Sequence, residues 1–588
     1  MFKTLQIIIV LFAVSLVAFS LPVGEQIVHN MNAIQQNNIN ESFHQYNNVV
    51  VEQKDNINES FHKYNNDVVV QQDNSSATFH RNNNVVVEQK DNINETLHQY
   101  NNDVVEQQNT ISATFHRNNN DVVEQQNNNN PAIQQLIKNP SLKHASVGVS
   151  VFDLATGRIV VSHDEQKALT PASVLKLITT ATSIEMLGEN FRYKTDVALD
   201  TDDPTRILII GSGDPTLGSE VFNESRDRFF NDCRQMLEKS LSKDIEYSIY
   251  VVDNLFGYEG VSPEWTWIDM GNYYAAGAYG ISIFDNSYRL FFNTMDKNSC
   301  PVIIKTEPEI KGLTFSNELK LNSSGADNGY IYGAPFSYDR SVRGNIPGGK
   351  TSFSIKGDIP DPGMLLGEKL SETLQNSGYK ISSVKTSRED YLSSLCEQVK
   401  TPSYKVGNLL FTKLSRPLKE IIKEINVESN NHYAEHLIRT IGRQYNPDIY
   451  EDALDAGIEF VNDYWKKKGI DVASLTMFDG SGLAPQNAIS PTLLTEILSY
   501  MYNKSSQSAA FTSSLPIAGQ DGTLKYFMAN TKYSGKIIAK SGSIGGVQCF
   551  AGYLIDGEKK YAFSIMINKF NGTRTQVRGA IEKFLQSL

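Results

Sequence analysis

Two groups of strand-like runs stand at opposite ends of this 588-residue chain, and they constrain its fold more than anything between them. Near the front, residues 146–152 alternate apolar and small side chains, Ala155-Thr156-Gly157 reads as a turn, and 158–162 returns. Near the back, 536–540, 547–555 and 560–568 read as three more strands, with Gly545-Gly546 and Asp556-Gly557 supplying turns. The pattern predicts an α/β (α+β) domain: one antiparallel sheet assembled from both chain ends, with helices on both faces. Helical periodicity marks 132–138, 433–441, 452–468, 491–503 (capped by Ser490) and 575–588.

Another helix begins at Thr170-Pro171-Ala172-Ser173-Val174-Leu175-Lys176-Leu177. Thr170 is suited to cap it and Pro171 to its first position. Ser173 and Lys176 then share one face, three residues apart. A serine hydroxyl is a poor nucleophile until a base takes its proton, and a lysine is that base only when its amine is neutral. Burial and a second nearby cation both favour the neutral form.

Two further stretches fit this chemistry. Ser429-Asn430-Asn431 precedes an apolar helix, and Lys540-Ser541-Gly542-Ser543 ends a strand-like run. Ser-x-x-Lys, Ser-x-Asn and Lys-Thr/Ser-Gly, in that order and in those settings, resemble the motifs of the penicillin-recognising serine acyltransferases. Over two hundred residues separate the first motif from the second. That long insertion resembles the class C low-molecular-mass penicillin-binding proteins, the D-alanyl-D-alanine carboxypeptidase/endopeptidase family. Gly211-Ser212-Gly213-Asp214-Pro215, Asp479-Gly480-Ser481-Gly482-Leu483, and Ser514 to Gly519 with Asp521-Gly522-Thr523-Leu524 resemble that family too, so the likeness runs from about residue 132 to the C-terminus.

The resemblance implies a transpeptidase/β-lactamase-like domain that hydrolyses peptidoglycan stem peptides ending in D-Ala-D-Ala, or cross-links between stems, through an acyl-enzyme. β-Lactam antibiotics would acylate the same serine, and no cofactor is needed. Ser173 would be the nucleophile and Lys176 its base, with Ser429 and Lys540 relaying the proton to the leaving amine. Asn431, Ser541 and Gly542 would bind substrate, and the amides of Ser173 and Ser543 would form the oxyanion hole. Position 430 is Asn where the family usually has Asp, and 541 is Ser where Thr is common, which keeps the hydroxyl.

At this length two to four domains are expected. Residues 1–20 read as a signal peptide: Lys3 precedes an apolar run that ends at Ala18-Phe19-Ser20. This predicts export, to the periplasm or cell envelope by the resemblance. Residues 21–130 hold an Asn-rich repeat in which His44, His62, His80, His98 and His116 recur every 18 residues. Its apolar spacing suits a helix, while its composition favours disorder or partial helix. The catalytic domain is expected at 131–195 and 405–588, around β-rich accessory material at 196–404. The net charge of −12 argues against nucleic acid as a partner, and oligomeric state is not readable. Cys233, Cys300, Cys396 and Cys549 form no Cys-x-x-Cys pair.

A competing pattern lies beside the second motif. His432-Tyr433-Ala434-Glu435-His436 fits His-x-x-Glu-His, in which two histidines bind zinc and the glutamate acts as base. It lacks an obvious third ligand. A third reading, a non-catalytic wall-binding protein, sits poorly with the presence of both Ser173 and Lys176.

Overall fold

The computed structural model describes residues 130–588, apart from 223–224, 297–298 and 398–403. The expected leader and the 18-residue repeats fall outside the described residues.

Asn130 opens helix α1 (Pro131–Ile137), its side chain accepting from the Ala132 amide at 2.9 Å. Strands β1 (Ser146–Asp153) and β2 (Arg158–His163) form a hairpin. After α2 (Lys176–Leu187) the chain enters a second layer with β3 (Lys194–Asp200), β4 (Arg206–Ile210), α3 (Arg228–Leu237) and β5 (Glu246–Val252). It continues through β6 (Ser287–Asn293), β7 (Val302–Glu307), β8 (Thr314–Asn322), β9 (Asn328–Tyr332), β10 (Asp339–Pro347) and β11 (Phe353–Asp358). Then come α4 (Pro362–Asn376), β12 (Lys380–Thr386), α5 (Arg388–Glu397) and β13 (Val406–Leu414). Helices α6 (Leu418–Glu428), α7 (Asn431–Tyr445), α8 (Ala453–Lys467), α9 (Pro491–Asn503) and α10 (Ser508–Ser513) lead to β14 (Ile537–Ile544), β15 (Val547–Asp556) and β16 (Lys559–Asn568). The chain closes with α11 (Arg574–Ser587).

The first sheet has the order β14-β15-β16-β1-β2, with every neighbour antiparallel. Both chain ends build it, as the strand runs predict. Side chains alternate across it. Cys549, Ala551 and Tyr553 of β15 face a core shared with α2, α6, α7, α8 and α9. Phe550 and Leu554 face the opposite core, with Ile133 and Leu136 of α1 and Val577, Ile581 and Phe584 of α11. Ser490 caps α9 as expected, accepting from the Leu493 amide at 3.2 Å.

The second layer is a mixed sheet, β12-β5-β4-β3-β13, with β12-β5 and β5-β4 parallel. One face packs Ile207, Ile209, Ile249 and Val251 against Phe229 and Phe230 of α3 and Leu366, Leu370 and Leu374 of α4. Two three-stranded sheets, β8-β10-β9 and β11-β6-β7, complete the insertion. The change of layer differs from the expected 196–404. Strand β13, assigned to the catalytic domain from sequence, pairs with β3 in the insertion sheet, and Lys194 and Thr195 belong to β3. The ladder needs both chain crossings side by side, which no local pattern reveals. Cys233, Cys300 and Cys549 are free thiols. Among the described residues, no helix is long and apolar enough to cross a membrane.

Candidate active site

The first motif does not open its helix as expected. Thr170 is not a cap: its amide is bonded by the Asn568 side chain at 2.8 Å and its hydroxyl donates to the Pro485 carbonyl at 3.2 Å. The chain instead makes a 3-10 turn over Ala172–Leu175, with Ala172 in the left-handed region at φ 47°. Lys176 then begins α2. This turn lifts Ser173 to a half-buried position while Val174 and Leu175 are fully buried.

Lys176 is completely buried, and its Nζ has three neighbours. The Ser481 carbonyl and the Asn431 Oδ1 each lie 2.6 Å away, and Ser173 Oγ lies at 3.1 Å. The Asn431 amide is oriented by its other end, where Nδ2 donates to the Tyr274 carbonyl at 2.8 Å. A neutral amine has two N–H donors and one lone pair. Two of its neighbours, the Ser481 carbonyl and Asn431 Oδ1, only accept, so they take both donors. The lone pair is then left for the Ser173 hydroxyl proton. Burial lowers the Lys176 pKa from 10.5 to about 7, against the opposing charges of Asp479 and Glu435.

The 479–487 loop aims the Ser481 carbonyl. Asp479 is fully buried and accepts from the amides of Gly482 at 2.7 Å and Ala484 at 2.6 Å. It also accepts from the side chains of Asn487 at 2.8 Å and Trp265 at 2.9 Å. Gly482 has φ +78°, and a Cβ there would sit 2.0 Å from the Ala172 carbonyl, so only glycine lets this loop approach the serine turn. In the sequence, Asp479-Gly480-Ser481-Gly482 stands out only by its likeness to the family, which assigns it no task. Its neighbour Trp265 comes from the insertion and left no local signal.

The third motif runs through β14, which continues to Ile544, past the strand end expected at Lys540, and brings Gly542 against the turn. A Cβ on Gly542 would lie 2.6 Å from the Pro171 carbonyl and 3.0 Å from the Ser173 amide. Lys540 is buried, and its Nζ donates to the Ser541 carbonyl at 2.8 Å. Burial, followed by the charge of Lys176, holds its pKa well below the ordinary lysine range. Two buried amines that repel each other cannot both keep a proton cheaply. Ser541 is half-buried beside it, and the exposed Ser543 hydroxyl donates to Gln548 Oε1 at 3.1 Å.

The second motif closes α6 and opens α7. Ser429 is left-handed, φ 64°, at the end of α6. Asn430 caps α7 by accepting from the Tyr433 amide at 3.1 Å, a task an aspartate would also perform. The charge of Glu428, just before Ser429, acts on the Lys540 amine and opposes its downward shift. The structure therefore joins Ser173, Lys176 and Asn431 by direct contact and seats Gly542 on the serine turn. Ser429 and Ser541 have no hydrogen bond to that cluster among the described residues.

The zinc alternative fails on the same helix. His436 has both ring nitrogens engaged, Nδ1 at 2.9 Å from the Gly213 carbonyl and Nε2 at 2.8 Å from Ser282 Oγ. Burial pushes the pKa values of His432 and His436 down, His432 to about 3. Glu435 has its carboxylate committed to the Arg439 guanidinium at 2.7 Å and the Gly480 amide at 3.0 Å. These side chains bind the insertion and the 479–487 loop to α7, and the His-x-x-Glu-His spacing follows from one buried helical face.

A sheet of this topology, carrying a serine bonded to a buried lysine and flanked by Ser-x-Asn and Lys-Ser-Gly, defines a serine acyl hydrolase of the penicillin-binding and β-lactamase fold. Residues 129–588 match the family described as D-Ala-D-Ala carboxypeptidase 3 (S13), and the chain belongs to that family. It is 25% identical over 456 residues to a D-alanyl-D-alanine carboxypeptidase of Actinomadura sp. (strain R39), covering 75% of this chain and 81% of that protein. It is 27% identical over 472 residues to penicillin-sensitive carboxypeptidase A of Dictyostelium discoideum, covering 72% and 83%. Its fold is similar to that of penicillin binding protein 4 (dacB) from Haemophilus influenzae, with a TM-score of 0.64 at 18% identity over 78% of this chain and 98% of that one.

Proposed function

We propose that this chain is a serine-type D-Ala-D-Ala carboxypeptidase acting on peptidoglycan stem peptides, and that it is acylated by β-lactams at Ser173. The observation that carries the reading is the buried Lys176 amine, 3.1 Å from Ser173 Oγ, with both its N–H donors committed elsewhere. Ser173 Oγ attacks the carbonyl of the penultimate D-Ala and its proton passes to Lys176. The amides of Ser173 and Ser543 hold the developing oxyanion. The C–N bond then breaks, and the terminal D-Ala leaves with a proton relayed through Ser429 and Lys540. Water attacks the resulting ester with Lys176 again as base, which frees the shortened peptide and restores the serine hydroxyl.

Asn431 holds the substrate amide, and Ser541 with the Gly542 backbone receives the terminal carboxylate. The same acyl-enzyme serves a cross-link, where the leaving amine belongs to a second stem, so endopeptidase action uses the same residues. The leader supports export, to the periplasm or cell envelope where the host has one. The test is release of D-alanine from diacetyl-L-Lys-D-Ala-D-Ala. Wild-type protein should release one equivalent per turnover, and Ser173→Ala should release none. Undiminished release by Ser173→Ala would overturn the assignment.

A further inference from the structure

Three elements carry the catalytic motifs, α2, α6 and β14, and one segment ties them together. It runs from Ser514 to Leu524, between α10 and β14, and carries no residue of the three motifs. At its start the Ser514 hydroxyl accepts from Asn426 Nδ2 of α6 at 2.9 Å. The same Nδ2 donates to Thr180 Oγ1 of α2 at 3.3 Å, and the Thr180 hydroxyl donates to the Lys176 carbonyl at 2.7 Å. Ser514, Asn426 and Thr180 are all buried. Residues 516–518 then lie antiparallel along β14, on the side away from β15. The Ala539 amide donates to the Pro516 carbonyl at 3.1 Å, and the Ala518 amide to the Ile537 carbonyl at 2.9 Å. Lys540 is the next residue of that strand.

The segment ends in a tight loop. Asp521 Oδ1 accepts from the Ile517 amide at 2.6 Å, and the Gly519 amide donates to the Leu524 carbonyl at 3.0 Å. Leu524 is fully buried in one core with Phe527, Ile537 and Ala539. Gly522 has φ +48°, and a Cβ there would lie 2.4 Å from the Val427 carbonyl oxygen. The loop is therefore pressed against the last turn of α6, two residues before Ser429.

We propose that residues 514–524 are a brace that sets the end of α6, and with it Ser429, relative to Lys540 of β14, with Asp521 and Gly522 as its positioning residues. The proposal rests on the carboxypeptidase reading, in which Ser429 and Lys540 relay the proton to the leaving amine. Asp521 locks the loop to the residues that pair with β14, and Gly522 seats the loop on α6, so backbone contacts link strand to helix. Asn431, on the next helix, is held separately, by the Tyr274 carbonyl and the buried face of α7. The brace therefore acts on the relay more than on the nucleophile and its base. That difference is chemically visible. When the C–N bond breaks, the nitrogen leaves with the bonding electrons and must take up a proton. A thioester makes no such demand, because its sulfur leaves as a thiolate.

The probes are diacetyl-L-Lys-D-Ala-D-Ala and the same compound with sulfur in place of the scissile amide nitrogen. Both give the same acyl-enzyme and keep the terminal carboxylate, so kcat/KM compares their acylation. Gly522→Ala forces the end of α6 back by about 1 Å, since ordinary contact starts near 3.4 Å. Asp521→Ala unlocks the loop. Each should lose about tenfold or more in kcat/KM on the amide and no more than about twofold on the thioester. Asp521→Asn keeps an oxygen for the Ile517 amide and should recover most of the amide rate. Ser429→Ala should show the same amide-selective loss, and adding Asp521→Ala to it should cost little more. Circular dichroism and penicillin labelling of Ser173 after long incubation check that each variant is folded. Should Gly522→Ala fail to fold, Asp521→Ala and Asp521→Asn decide the matter. An equal loss on the two substrates, or no loss on the amide in a folded variant, would overturn the brace while leaving the carboxypeptidase reading intact. A Ser429→Ala loss shared equally by both substrates would strike the relay and the brace with it. Absence of penicillin labelling in wild-type protein would instead strike the carboxypeptidase reading itself.

Discussion

The protonation of Lys176 should be visible in the pH dependence of acylation. Burial brings its pKa from 10.5 to about 7, a shift worth about 5 kcal/mol at roughly 1.4 kcal/mol per unit. At pH 7 about half the amines are then free to accept the Ser173 proton, against about one in 3,000 for an unshifted lysine. The neutral form is the active base, so the rate of acylation by a labelled penicillin should rise with pH. It should increase about tenfold per unit below pH 6 and level off above pH 8. The charge of Lys176 also lowers the Lys540 pKa, so protonating Lys176 makes Lys540 harder to protonate. Asp479→Asn supplies the directional control. Its carboxylate raises the Lys176 pKa, so removing that charge should move the midpoint to lower pH. The plateau should fall at the same time, because the 479–487 loop loses its anchor. Stopped-time quenching with intact-mass detection across pH 5.5 to 9 measures both quantities. A rate flat from pH 5.5 to 8, or an Asp479→Asn midpoint displaced upward, would refute the reasoning.

Three other outcomes follow from the same structure. Gly542→Ala should fold normally yet acylate at least about tenfold more slowly, because the new methyl group presses on the Pro171 carbonyl and the Ser173 amide and pushes β14 from the serine turn; circular dichroism and labelling kinetics check it. Lys176→Met should abolish acylation but raise stability near pH 7 by about 1–3 kcal/mol, since a buried amine with a depressed pKa burdens the fold fully below pH 7. That advantage should shrink toward pH 10.5, where the amine is neutral in the unfolded chain as well, and denaturant melts at several pH values follow it. Deleting residues 22–130 should leave D-alanine release nearly unchanged, because every residue of the site lies beyond them; a large loss of turnover with intact folding would contradict this.

The five strands of the catalytic sheet were legible because their alternation is local, and so was Ser490 as the cap of α9. The residue types at 173, 176, 431 and 540 were legible because the chemistry restricts them. The geometry that makes them work was less so. Ala172 adopts a left-handed conformation with no glycine to announce it, and Thr170 is used by Asn568 and Pro485 from far along the chain. The bond from Trp265 to Asp479 crosses 214 residues of sequence, and β13 finds β3 across a similar gap. Such pairings are set by which elements the fold places side by side. His-x-x-Glu-His shows the converse: a pattern with chemical meaning arose because one face of α7 is buried under the insertion.

The central claim is that Ser173 is the acylated nucleophile and Lys176 its base. Peptide mapping by mass spectrometry of penicillin-treated protein, with a chelator present throughout, tests it most directly. The account predicts a single penicilloyl adduct on Ser173, none in Ser173→Ala, and acylation slowed by several orders of magnitude in both Lys176→Ala and Lys176→Arg, since a guanidinium does not give up its proton to become a base. An adduct on another residue, or chelator-sensitive peptidase activity without any adduct, would contradict it.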